Sequence, residues 1–226
     1  WLDKEYERLA PMLERFVALM RRIDPDFICG WNVTWFDVPY LNRRMEMLGL
    51  SPFDLSPLGG IGARKNKWAG RVVFDLLSAY RGLHEGELRR NTLEAVTRDE
   101  LGVEIAKSPK SIVGWQQNDP NRLITYNVVD VECCVALDMK LGMLDYYMEL
   151  ANLSGGSLHE DVFMMGKIVD NFVLFNRPPG IVFPTKAVES NNETPAGARV
   201  FPPRKRGLVK NVIILDFKRL YPNIML

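Results

Sequence analysis

Two short, largely apolar runs, Asp26-Phe27-Ile28-Cys29 and Arg71-Val72-Val73-Phe74, lie between amphipathic stretches long enough to be helices. That alternation restricts the chain to an α/β architecture, because buried strands and amphipathic helices of this kind pack in alternating layers. Leu9, Leu13, Phe16, Val17 and Met20 recur at helical spacing and predict an amphipathic helix over 3–22, despite Pro11, ended by Asp24-Pro25. A loop over 30–36 follows the first strand. The next helix starts at Asp37, placed at a capping position with Pro39 in the first turn, and stops at Gly49. Residues 50–70 read as a Gly/Pro/basic loop. Asn91-Thr92-Leu93-Glu94 reads as a capping box whose helix Gly102 closes.

Asp119-Pro120 opens a long helix that runs to about Leu150. A turn over Asn152 to Ser157 and another helix over Leu158 to Phe175 follow. From Arg177 the composition shifts to proline, glycine and extended segments, with a polar patch at Glu189 to Thr194. That shift marks a boundary after the α/β domain. There are no internal repeats and no low-complexity tracts.

Bulk properties exclude several classes of function. A net charge of +1 over 226 residues gives no global attraction to nucleic acid, so any such affinity must come from local clusters. The clearest is Arg199 to Arg219, where Arg204-Lys205-Arg206, Lys210 and Lys218-Arg219 face a single acid, Asp216. Alone, such a run is an ordinary solvated loop. Three cysteines, two of them adjacent at Cys133 and Cys134, make neither a disulfide framework nor a zinc pattern. With only His84 and His159, a histidine-based metal site or nucleophile relay is disfavoured. No signal peptide and no membrane-length apolar run is present, and the expected setting is reducing and intracellular.

Three places carry candidate chemistry. Val212-Ile213-Ile214-Leu215 reads as a buried strand that delivers Asp216 at its end. Phe217, Lys218, Arg219, Leu220 and Tyr221 follow, with Tyr221 pushed towards extended backbone by Pro222. A carboxylate beside cations suits a divalent metal holding a phosphate-bearing substrate. Tyr126 and Asp130, four apart on a helix, share a face, although alone they would be an ordinary surface pair. Asp37 is the third, and a plain helix cap is its simplest role.

Order and context change those odds. Asn32-Val33-Thr34-Trp35-Phe36-Asp37 resembles the second motif of the proofreading 3′–5′ exonucleases, extended by Gly30-Trp31 before it and Pro39-Tyr40-Leu41 after it. Tyr126-Asn127-Val128-Val129-Asp130 resembles their third motif, Tyr-x-x-x-Asp. Asp216 to Asn223 resembles the first palm motif of family B DNA polymerases. Val72 to Leu76, Asn91 to Val96 and Leu101-Gly102 resemble the family's intervening strand and helix. Ala196-Gly197-Ala198 resembles the element linking its two active sites. The likeness spans nearly the whole chain and leans towards archaeal members.

The resemblance implies a ribonuclease-H-like 3′–5′ exonuclease domain over 1–155, truncated at its N-terminal side. It implies a connector over 156–206 and the first strand of a polymerase palm over 207–226. In such a protein Asp37 and Asp130 hold metal, Tyr126 orients the attacking water, and Asp216 holds metal for nucleotide transfer. Asn32, Phe36 and Gly197 contact DNA. Phe217, Arg219, Leu220 and Tyr221 face the incoming nucleotide, Tyr221 at the position that excludes ribonucleotides. Two Mg²⁺ ions per active site are implied, with Mn²⁺ as a substitute. The implied partners are primer-template and single-stranded DNA, deoxynucleoside triphosphates, and a sliding clamp reached through a further C-terminal part; no membrane partner is expected. The compartment would be cytoplasm or nucleoid in an archaeon and the nucleus in a eukaryote.

Departures from the pattern are Pro195 in place of the linking element's Tyr, and Arg219 and Asn223 in place of the palm motif's serines. The family's first exonuclease motif, Asp-x-Glu, needs a strand so that both carboxylates point to one side. Asp3-Lys4-Glu5 and Asp130-Val131-Glu132 spell it but fall on expected helices. The true copy is expected upstream of Trp1, and the second palm carboxylate beyond Leu226. A chain without them is expected to be inactive alone in both reactions and poorly stable. Gly59-Gly60-Ile61-Gly62 with Lys65 lacks both the preceding strand and the Gly-Lys-Ser/Thr of a phosphate loop. Two rivals stay open: a non-cutting module that holds single-stranded DNA, and a free-standing exonuclease of the same fold.

Overall fold

A computed structural model describes residues 2–60, 67–84, 91–104, 115, 118–159, 162–184, 199–204, 207–217 and 220–225. The chain divides into two compact units, Trp1–Ile181 and Val182–Leu226.

The first unit is built around a two-stranded parallel sheet. Helix α1, Leu2–Ile23, leads into strand β1, Phe27–Gly30. Helix α2, Asp37–Met47, and a short 3₁₀ turn, Pro52–Leu55, lie between β1 and strand β2, Val72–Asp75. The register pairs Phe27 with Val72, Ile28 with Val73, Cys29 with Phe74 and Gly30 with Asp75. Parallel neighbours need such a helical crossover, which is why the β-branched runs are separated by a helix.

Successive strand residues face opposite sides, and β2 feeds two cores accordingly. Val73 and Ile28 pack against a cluster of Leu13, Val17, Met20, Val38, Met45, Leu48 and Trp68, which seats α1 and α2 on one face. Phe74 and Val72 belong to the other cluster, with Leu76, Tyr80, Val96, Leu137, Met143 and Tyr147. That face is covered by helices α3, Leu76–Leu83, α4, Leu93–Leu101, α5, Pro120–Leu141, and α6, Met143–Ser154. Helix α7, Met165–Phe175, ends the described helices of this unit.

Arg71 ties the entry to β1 to the entry to β2. Its side chain is 3% exposed and bonds the carbonyls of Leu55 at 3.1 Å and Pro25 at 2.5 Å. It also reaches the Met20 carbonyl and, at 2.9 Å, the Asp24 carboxylate.

Several expectations need correction. Asp37 is the first helical residue rather than the cap: Phe36 precedes the helix and makes no side-chain capping bond. Asp37 starts α2, its carboxylate near its own backbone N–H. The long helix from Asp119-Pro120 does not continue to Leu150. Gly142 adopts a left-handed conformation, φ 58°, and its N–H closes on the Asp138 carbonyl, while the Asp138 carboxylate receives the Leu144 N–H at 3.0 Å. One residue with positive φ ends α5 and starts α6. The predicted turn at Asn152 begins later, because α6 runs to Ser154 and Gly155 stops it. The helix expected from Leu158 starts only at Met165.

By contrast, α4 forms where expected and Gly102 closes it at φ 69°, but its cap is Thr92, which accepts the Ala95 N–H; Glu94 is then the second helical residue, so the reciprocal half of the capping box is absent. Asp3-x-Glu5 and Asp130-x-Glu132 lie on helices, so neither forms a strand-borne carboxylate pair.

In the second unit the run Val212 to Leu215 is not a buried strand. Ile213, Ile214 and Leu215 are 83%, 88% and 89% exposed, and no described residue pairs with them. A strand needs a neighbour to satisfy its backbone, and β-branched composition alone does not provide one. Tyr221 is not extended either: it lies in the short helix α8, Leu220–Met225, with Pro222 in its first turn, where a missing N–H costs nothing.

Candidate functional site

The C-terminal ends of the two strands present a loop and a helix start. From Gly30 the chain folds into a tight turn in which Asn32, at φ 64°, accepts the N–H groups of Trp35 at 3.2 Å and Phe36 at 3.0 Å. Val38 N–H then bonds the Val33 carbonyl at 3.0 Å and starts α2. Inside the turn, Trp31 is anchored by its indole N–H to the Asn91 carbonyl at 3.1 Å and by its ring against Tyr80. The loop's other aromatics point outward: Trp35 is 68% and Phe36 64% exposed. Phe36 stacks on Tyr40, rings 6.4 Å apart and 7° from parallel.

Asp37 keeps an open path to solvent, yet enough protein surrounds it that partial burial pushes its carboxyl above the ordinary range. Its own backbone N–H pulls the other way, and the charge of nearby Asp75 adds to the rise. Asp130, half-buried on α5, is likewise raised by burial and partly restored by the Tyr126 hydroxyl bonded to it. Tyr126 is held in turn by Trp115, edge to face at 5.9 Å, and Arg122 covers the Trp115 ring at 4.5 Å.

Cys134 lies one turn beyond Asp130 on α5. Its thiol is pushed up to about 11, chiefly by burial. The Trp31 backbone offsets part of this, while the charges of Asp130, Cys133 and Asp37 add to it. Asp37 from the loop and Asp130 from α5 thus act on one thiol. The β1–α2 turn and α5 meet where Trp31 and Cys134 pack against one apolar cluster.

The donors fit a hard divalent cation: two carboxylates raised by partial burial, with no basic side chain among the causes that offset it. Among the described residues no group of three or more His, Cys, Asp and Glu gathers to hold a metal. Asp216, Phe217 and Leu220 are exposed in the second unit. Gly197, Pro195 and Arg219 lie outside the described residues, as does the side chain of Tyr221.

Asp75 is not among the candidate residues read from the sequence, where the strand ends at Phe74. It is 1% exposed and accepts the N–H of Thr34 at 3.1 Å and of Ser78 at 2.9 Å. An Asp between a β-branched run and an apolar helical stretch is an N-cap signal, and that would have found both Asp75 and α3.

Comparison with known proteins places the chain. Residues 4–85 match the family model described as DNA polymerase family B, exonuclease domain, and residues 168–226 match DNA polymerase family B. The chain belongs to family B of the DNA polymerases. It is similar to the DNA polymerase delta catalytic subunits of Drosophila melanogaster, 30% identical over 99% of this chain, and Bos taurus, 31% over 99%. That of Candida albicans is 30% identical over 98%. The chain spans 22–24% of the length of these relatives. All three are eukaryotic, against the archaeal leaning read from the motifs.

Proposed function

We propose that this chain supplies the second and third carboxylate motifs of a proofreading 3′–5′ exonuclease, and the first palm motif of the same polymerase. The observation that supports the reading is that the turn bearing Asp37 and the helix bearing Asp130 share one apolar cluster through Trp31 and Cys134, and that both charges act on the Cys134 thiol. The finer fold is ribonuclease-H-like, with domains over 1–155, 156–206 and 207–226.

Asp37 and Asp130 would hold Mg²⁺ or Mn²⁺, which when bound supplies an activated water and charge neutralisation at the phosphate. Tyr126, hydrogen-bonded to Asp130, presents its hydroxyl to position that water. Exposed Phe36 offers a face on which a terminal base stacks, with Asn32 beside it. Asp216 is the palm carboxylate; Phe217, Arg219, Leu220 and Tyr221 meet the incoming deoxynucleoside triphosphate, and Gly197 approaches the template. The whole protein acts on primer-template DNA inside the cell, in the nucleus of a eukaryotic source, with a sliding clamp as processivity partner.

The test is Asp130→Ala in the full-length protein. Excision of a mispaired 3′ end should fall by more than the about 10–100-fold typical of losing an outer-shell partner, while primer extension continues. Loss of both activities together would count against the assignment. The non-cutting module is the second reading: among the described residues no group of three or more His, Cys, Asp and Glu gathers to hold a metal. Single-strand binding with no metal-dependent excision by the full-length protein would establish it.

A further inference from the structure

The buried carboxylate at the end of β2 does more than cap a helix. Asp75 stands opposite Gly30 in the sheet register, at the point where the chain leaves β1 for the Asn32–Asp37 turn. Its Oδ1 accepts the Ser78 N–H and caps α3; its Oδ2 accepts the N–H of Thr34, across the sheet and three residues before Asp37. Capping needs one acceptor, and Asn, Ser or Thr would serve. A carboxylate 1% exposed is a costly way to fill that role unless both oxygens are used. The second oxygen is spent on the functional loop.

That loop has few other fixed points. The Asn32 carbonyl closes it on itself through Trp35 and Phe36, and Trp31 pins its start to Asn91. At Gly30 a Cβ would stand 3.1 Å from Val33 Cβ, so the turn leaves the strand at close quarters. Thr34 lies within the turn, three residues before α2 begins. A bond there sets the direction in which α2, and with it Asp37, emerges.

We propose that Asp75 is the positioning residue of this site, fixing the Asn32–Asp37 turn through the Thr34 amide and so setting where the Asp37 carboxylate stands. The proposal rests on the exonuclease reading above. Asp75 touches no substrate on this account; it acts through the loop.

Asp75→Asn and Asp75→Ser separate its two roles in the full-length protein. Each side chain has one acceptor oxygen and caps well, so α3 keeps its start while the Thr34 N–H loses its partner. Hydrogen exchange over 31–37 should quicken at least about tenfold, while exchange over 76–80 stays close to wild type. Excision kcat should fall about 10–100-fold with KM and primer extension unchanged. A residue that merely stabilises the fold would instead quicken exchange in both segments and leave kcat in place. Unchanged protection over 31–37, or wild-type kcat in both variants, would overturn the proposal. Asp37→Ala is the companion variant. Excision that survives it would overturn the exonuclease reading and this proposal with it. Excision that depends on Asp37 yet ignores Asp75→Asn overturns the proposal alone.

Discussion

Arg71→Met replaces the staple between the two strand entries with an uncharged chain of similar length. The guanidinium makes two well-formed bonds to carbonyls, Leu55 at 3.1 Å and Pro25 at 2.5 Å, and a long one to Met20 at 3.4 Å. Bonds from a charged donor contribute about 1.5–3 kcal/mol each, so the two good ones give roughly 3–6 kcal/mol. The long contact adds little. The ion pair also adds little, because Asp24 is 71% exposed and solvent screens it to about 0–1 kcal/mol. Relief from burying the cation offsets part of the loss, leaving a net cost of about 2–4 kcal/mol. Native-state hydrogen exchange across Phe27–Gly30 and Val72–Asp75 in the full-length protein reads this locally. At about 1.4 kcal/mol per decade, exchange should quicken between about thirtyfold and a thousandfold. Asp24→Asn, which tolerates the φ of 47° at that position, should change it less than about fivefold. An Arg71→Met effect no larger than that of Asp24→Asn would refute the view that the carbonyl bonds, rather than the ion pair, hold this junction.

A Cβ at Gly82 would stand 2.2 Å from the Tyr147 hydroxyl, which itself bonds the Ala79 carbonyl at 3.3 Å in the core. Gly82→Ala should therefore cost about 1–3 kcal/mol by thermal unfolding, and Tyr147→Phe in the same chain should restore part of it. Asp130→Asn should raise the melting temperature at pH 7 in chelator. Burial has raised the Asp130 carboxyl, so its contribution to stability is most favourable below the unfolded carboxylate range near 3.9. It declines as pH rises through the raised folded value, and the gap to the Asn variant should close on acidification. Tyr126→Phe should slow excision while leaving single-strand affinity near wild type, measured by oligonucleotide anisotropy; equal loss of both would reassign Tyr126 to substrate binding.

Local signals were legible wherever local physics decides. Thr92 and Gly102 bracket α4 because capping and positive φ are properties of a few adjacent residues. The spacing of Tyr126 and Asp130 translates directly into a shared helical face, and their bond follows. Gly142 was passed over because apolar residues at helical spacing continue on both sides of it. A single left-handed residue breaks the helix without breaking the pattern. Asp75 was invisible as a functional residue because half its role lies in a bond to Thr34, 41 positions away. The run at Val212–Leu215 misled for the opposite reason. Its composition states a preference for burial in a sheet, but only a neighbouring strand realises it, and none of the described residues is one.

The central claim is that Asp37 and Asp130, 93 positions apart, serve a single site. A double-mutant cycle on metal-dependent excision of a mispaired 3′ end tests it most directly, with Asp37→Ala, Asp130→Ala and the pair compared in the full-length protein. Groups that act as a unit are strongly non-additive, so the double variant should be no slower than the slower single one, within about threefold. Losses that multiply, or one single variant that excises like wild type, would contradict a shared site.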